Sequence, residues 1–223
     1  MISCGDYLDM TTKEPVQVDS ISLPQRVITL FEGDRYAIPV VVKPDSAFTS
    51  TSFYWQSAND SVAMFLNDSL WALREGVTQA FVRTATGDHS DTCTVCVLPP
   101  LFVEPGLYPY DMVIYASVNV HGTKITRENA DQYPVAAYVR NELRGIGQMH
   151  EAGGNEYMVI RVWSPYESGE QVTLRCYERP QARCELFPDT LTFDGERHGT
   201  LSDLYPLTFD NKAEEWSSVS ITK

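Results

Sequence analysis

Basic residues are scarce in this chain: 17 Lys and Arg stand against 30 Asp and Glu, a formal net charge of −13 over 223 residues. Binding to a phosphate backbone relies on clustered Lys and Arg that displace counterions, and no such cluster occurs, so nucleic acid is excluded as a partner. Long apolar runs are absent too. No stretch reaches the roughly eighteen apolar residues that a membrane-spanning helix needs. The body of the protein is therefore expected to be soluble and monomeric, kept so by its negative surface, with a lipid anchor as the only route to a membrane. Catalytic signatures are also missing: no G-x-S-x-G elbow, H-E-x-x-H, phosphate-binding loop or EF-hand loop occurs. Gly145-Ile146-Gly147 lacks the third glycine and the βαβ context of a dinucleotide fingerprint, and reads as a turn. His89, His121, His150 and His198 stand in polar, turn-like surroundings at no metal-ligand spacing and read as solvated loop histidines. Asn59-Asp60 and Asn67-Asp68 offer too few oxygens for calcium. No cofactor and no metal is expected, and an enzyme is not, because compact modules without long insertions leave little room for a cleft.

What the chain does have is alternation. In MVIYASVNV, Met112, Ile114, Ala116, Val118 and Val120 share one face and Val113, Tyr115, Ser117 and Asn119 the other, the pattern of a strand buried on one side. RVITLF, RYAIPVVV, TSFYWQS, QAFVRTA, TCTVCV, EYMVIRVW, QVTLRCY and VSITK repeat the theme, rich in β-branched and aromatic residues and separated by Gly, Pro, Asn and Asp. AAYVRNELRGIG alone also suits a helix, but its apolar positions fit two strands with a turn at Arg144-Gly145. The fold class expected is all-β: two consecutive immunoglobulin-like β-sandwiches. Their boundary falls in VLPPLFVEPGLYPYD, where Pro99, Pro100, Pro105 and Pro109 cannot donate to a ladder. Residues 1–17 then form an N-terminal tether, 18–99 the first domain, 100–107 a proline-rich linker and 108–223 the second domain. Such a linker acts as a stiff spacer and sets the domains end to end.

From Val18 to Leu98 the chain resembles the bacterial immunoglobulin-like domain of group 2, a sandwich module of bacterial surface and secreted proteins. The resemblance runs in order through Ile28-Thr29-Leu30-Phe31-Glu32-Gly33, Val42-Lys43-Pro44, Tyr54-Trp55-Gln56-Ser57, Val62-Ala63, Trp71 to Ala80, and Cys93-Thr94-Val95-Cys96-Val97. Trp71 departs from it, standing where a small residue is usual. Physically, Gly33 and Gly76 mark turns that call for positive φ, and Trp55 points between the sheets from a central strand. The second half, through YPYDMVIYASV, AAYVRNELRGIG, EYMVIRVW, GEQVTLRCY and GTLSDLYPLTF, resembles a less characterised β-rich module of Bacteroidetes surface proteins.

Five cysteines are an odd number. Cys93 and Cys96 lie three apart on a strand and so face opposite sides, which forbids a bridge between them; Cys93 reads as a small buried hydrophobe. Cys176, in line with Val172 and Leu174, and Cys184, in line with Ala182 and Leu186, are expected opposite one another across a turn at Arg179-Pro180-Gln181, as a disulfide or as two buried thiols. Met1-Ile2-Ser3-Cys4 resembles the end of a bacterial lipobox, which implies diacylation of Cys4, and the following GDYLD resembles the start of mature outer-membrane lipoproteins that bind or import glycans. An Asp-Ser/Thr-apolar pattern recurs at Ser20, Ser46, Ser61, Ser69 and Thr190. It is similar to the O-glycosylation acceptor of Bacteroidetes, and equally to plain turn chemistry in which the apolar residue opens a strand. Tyr166, Trp216 and Trp71 are candidate platforms for stacking a sugar ring.

These readings imply a surface-exposed outer-membrane lipoprotein that adheres to or recognises an extracellular protein or glycan without catalysis, its first domain serving as spacer. The alternative is a carbohydrate-binding accessory protein of a glycan-uptake system.

Overall fold

In the computed structural model, which describes residues 17–104 and 106–210, the protein is all-β and folds as two successive sandwiches. The first contains β1 (Ser20–Ser22), β2 (Val27–Phe31), β3 (Arg35–Tyr36), β4 (Val41–Lys43), β5 (Phe53–Ser57), β6 (Ala63–Leu66), β7 (Ser69–Ala72), β8 (Gly76–Thr84) and β9 (Ser90–Leu98). One sheet has the order β2-β9-β8-β5, with β2 parallel to β9; β3-β7-β6 and the pair β1-β4 complete the module. Alternation drives the packing, since in β9 Cys93, Val95 and Val97 turn inward beside Ile28 and Leu30 of β2, Ala80 and Val82 of β8 and Leu70 of β7. Cys96 takes the outer side, as its spacing from Cys93 requires, and burial pushes the Cys93 thiol up to about 11. Trp55 stacks on Phe65 of the other sheet at 5.0 Å. It comes from an edge strand, β5, and not from a central one.

The second module comprises β10 (Tyr110–Val120), β11 (Thr123–Lys124), β12 (Val135–Val139), β13 (Glu142–Ala152), β14 (Asn155–Ser164), β15 (Gln171–Glu178), β16 (Arg183–Leu186), β17 (Leu191–Thr192), β18 (Arg197–His198) and β19 (Tyr205–Phe209). A continuous ladder runs β10-β14-β13-β12-β15-β16, with β19 pairing in parallel on the far edge of β10. Residues from both ends of the ladder meet in one core: Leu207 and Phe209 of β19, Ile114 of β10, Ile160 of β14, Ala137 of β12 and Leu174 of β15 are all fully buried. The ladder therefore folds back over its own inner face. The bend passes through β13, whose first residues pair with β12 and whose later ones pair with β14, beside a bulge between Ala137 and Tyr138. Gly145 sits at this crossing, where a Cβ would lie 2.4 Å from the Arg161 carbonyl oxygen. Arg144-Gly145 is thus no turn but a place where β13 and β14 leave no room for a side chain; the turn falls at Arg140-Asn141, with Arg140 at φ 57°.

The Cys176–Cys184 pairing is corrected. In the β15–β16 register Tyr177 opposes Cys184 and Cys176 opposes Glu185. A shift of one residue moves a side chain to the other face, so Cys176 enters the module's core while Cys184 lies on the outer side, and both are free thiols.

β12 is buried at all five positions, on both faces. Its inner side meets the core just described, while its outer side, Ala136 and Tyr138, is covered by Phe31, Leu98 and Leu101 of the first module and the connecting segment. Tyr177 joins this seam, with its ring edge-on to Phe31 at 5.1 Å and its hydroxyl 2.7 Å from that of Tyr138. The proline-rich stretch is accordingly only part of what couples the modules.

Candidate functional site

The turn between β15 and β16 is where the modules interlock. Arg179–Gln181 forms one turn of 3-10 helix, and Ala182 follows in the left-handed region at φ 49°. That kink carries the Ala182 methyl into the core of the first module, while its carbonyl accepts a hydrogen bond from Thr29 N at 2.6 Å. Gln25 Nε2 donates to the Gln181 carbonyl at 2.7 Å and accepts, through Oε1, from the Tyr36 hydroxyl at 2.8 Å. Arg179 pairs with Asp34, and its guanidinium lies 5.6 Å from the Phe31 ring.

At the base of this hairpin stands an acidic cluster that the histidine reading missed. His121 and Gly122 fill a two-residue turn between β10 and β11 with φ of 48° and 81°, the geometry that suits the twist of a tight hairpin. Gly122 makes that turn cheap, its N–H caught by Asn119 Oδ1 at 2.9 Å. His121 Nε2 then lies 3.2 Å from Glu178 Oε1 and 3.3 Å from Glu185 Oε1. The Glu178 and Glu185 side chains are 4% and 1% exposed, His121 29%. Arg183 Nε reaches the same two oxygens at 2.9 and 3.4 Å. Glu185 Oε1 nevertheless has no hydrogen bond of good geometry. Burial pushes the Glu185 carboxyl above its ordinary range; His121 and Arg183 pull it back only in part. The Arg183 charge also acts on Tyr36 of the first module, opposing the rise that burial gives that phenol. A signal for these acids was present in the alternation, because Glu178 continues the inward parity of Val172, Leu174 and Cys176. His121 carried none, since its partners are distant in sequence.

A second cluster fastens the start of the second module. Arg144, buried, donates to Glu142 Oε2 at 2.9 Å, to Glu170 Oε2 at 3.4 Å and to the Trp163 carbonyl at 3.3 Å, and its guanidinium covers the Tyr108 ring at 4.2 Å. Ser164 Oγ donates to the same Glu170 oxygen at 2.6 Å and accepts from Tyr166 N at 3.0 Å. The loop bearing Tyr166 is held in this way, and Tyr166 itself is 62% exposed.

Of the expected sugar platforms, the two among the described residues fall in different modules. Trp71 is half-buried and the Arg35 guanidinium lies 3.6 Å over its ring, so that face is already taken; it belongs to the first module and Tyr166 to the second. Trp216 and Cys4 lie outside the described residues. Ser20, Ser46, Ser61 and Thr190 are exposed and Ser69 half-buried. Turn chemistry accounts for two of the five: Asn59 Oδ1 accepts from both Ser61 N and Ser61 Oγ, and Asn67-Asp68, both at positive φ, close the β6–β7 hairpin ahead of Ser69.

No known protein family matches the chain, and no curated protein matches it. Among solved structures it is similar to domains 5-6 of the S-layer protein SbsC, at 11% identity and a TM-score of 0.31 over 82% of this chain and 99% of that one. It is also similar to titin Ig tandem domains, at 10% identity and a TM-score of 0.25 over 86% and 100%. An endo-fucoidan hydrolase from glycoside hydrolase family 107 matches at 8% identity and a TM-score of 0.26, over 85% of this chain and 29% of that one. Scores this low carry no argument about fold or role.

Proposed function

We propose that the chain is a non-catalytic surface protein that works by contact, with the first sandwich as a spacer set rigidly against a second that carries the recognition surface. The observation that supports this reading most is the junction: a buried aromatic seam, a main-chain hydrogen bond from Thr29 to Ala182 and an Arg179–Asp34 pair hold one module against the other. A spacer that transmits position needs such a joint, since independently tumbling domains would leave the head undirected. The resemblance of the first half to group 2 bacterial immunoglobulin-like domains agrees with a spacer role, and lipidation at Cys4 would tether the near end. Acyl chains contribute about 0.8 kcal/mol per buried methylene, enough for firm anchoring when two or more are attached.

Arrays of polysaccharides and extracellular matrix proteins, probed with the purified chain and assayed in parallel for soluble cleavage products, test the reading. Retention on a subset of spots with no product is expected; product release would refute it. The accessory glycan-binding reading has one observation in its favour, the exposed ring of Tyr166 on a loop pinned by Ser164 and Glu170. Loss of polysaccharide retention in Tyr166→Ala would select it over protein adhesion.

A further inference from the structure

We infer that His121, Glu178 and Glu185 form a binding site for a divalent transition-metal ion of the zinc class, placed so that the bound ion clips the β10–β11 turn to the hairpin that docks the two modules. The inference stands apart from the proposed adhesive role. Its basis is the convergence of three side chains, His121, Glu178 and Glu185, each offering one ligand atom, with these atoms all within 4.8 Å of one another. Zinc bonded at about 2.0–2.1 Å to tetrahedral ligands holds neighbouring donors about 3.3 Å apart. The two separations from His121 are 3.2 and 3.3 Å.

Burial supplies a second argument. An ionised carboxylate removed from water needs strong compensation. Glu185, 1% exposed, instead has Oε1 aimed into the cluster without a hydrogen bond, its nearest side-chain nitrogens being His121 Nε2 at 3.3 Å and Arg183 Nε at 3.4 Å. A metal ion at the centre would satisfy that oxygen directly. One imidazole with two carboxylates suits zinc better than calcium or magnesium, which take six or more oxygens or keep most of their water. His121 would carry its proton on Nδ1 and present the Nε2 lone pair. Arg183 is the built-in competitor, because its Nε holds the same two oxygens; its side chain, 36% exposed, has room to turn out to solvent as the ion enters past His121.

The test is a zinc titration by calorimetry on the full chain freed of metal by chelator, repeated with cobalt(II) to read the visible absorption of a tetrahedral site. The expected result is one ion per chain, a raised Tm, and affinity reduced at least tenfold in His121→Asn and in Glu185→Gln. Asparagine tolerates the left-handed turn and so preserves the fold at position 121. Arg183→Gln, which removes the competitor and touches no proposed ligand, is expected to tighten zinc binding several-fold. Absence of zinc binding by the wild-type chain overturns the site, as does affinity undiminished in both ligand variants, or weakened zinc binding in Arg183→Gln.

Discussion

The most informative residues are those whose polar groups are wholly or partly withdrawn from water and answered. Asp91 is one: its carboxylate accepts from Leu23 N at 2.7 Å, Arg26 Nη1 at 2.7 Å and Thr92 N at 2.8 Å, fixing the chain between β1 and β2 to β9. Burial tends to raise its pKa, but these donors outweigh it and hold the carboxyl below the usual range. With the folded value depressed, the stabilisation is present above the unfolded pKa and fades as pH falls through the folded one. Asp91→Asn is expected to cost about 1–2 kcal/mol in urea unfolding at pH 7. That deficit shrinks on acidification below about pH 4, as protonation removes the same charge from the wild type. The pair of hydroxyls in the seam gives a second case. Tyr177→Phe leaves the Tyr138 hydroxyl without its 2.7 Å partner and should destabilise by about 1–2 kcal/mol, read from the urea midpoint at constant slope. At this scale the sequence was legible where parity decided the outcome, as for Cys93 against Cys96. It was illegible where partners are remote: nothing near His121 announces Glu178 and Glu185, and Arg144 looked like half of a turn because its burial depends on Glu142, Glu170 and Tyr108 coming together in space.

Among the elements, β13 and the β15–β16 hairpin carry the architecture. Strand periodicity identified β15, but in β13 it put a turn at Arg144-Gly145, and neither the turn at Arg140-Asn141 nor the register that separates Cys176 from Cys184 follows from periodicity. A slip of one residue leaves the alternation intact while exchanging faces, and only the packing of Cys176 against the core and Tyr177 against Phe31 selects between the alternatives. Two changes test this level. Gly145→Ala forces a Cβ to within 2.4 Å of the Arg161 carbonyl, a backbone atom that yields only if the β13–β14 ladder shifts, so a loss of about 2 kcal/mol or more is expected in chemical denaturation. Ala182→Asp places a charge in the core of the first module at the point where the hairpin docks. Its expected effect is to release the hairpin, read as faster amide exchange at Thr29, whose N–H bonds the Ala182 carbonyl, while exchange in β10 and β14 stays slow.

On the scale of the whole molecule, composition and strand spacing were sufficient for an all-β protein of two sandwiches, whereas the seam between them was not foreseen. The proline-rich segment pointed to stiffness from the linker, yet β12 gains its second buried face from Phe31, Leu98 and Leu101, residues that each read locally as ordinary strand or linker positions. Amphipathic strands imply that a face is buried, not what covers it. The central claim is that this seam makes one rigid body of two modules. Residual dipolar couplings of backbone amides in a weakly aligned sample measure it most directly: a single alignment tensor should fit β2, β8 and β9 together with β10, β12 and β14. Two tensors of clearly different magnitude, one for each module, would contradict the account.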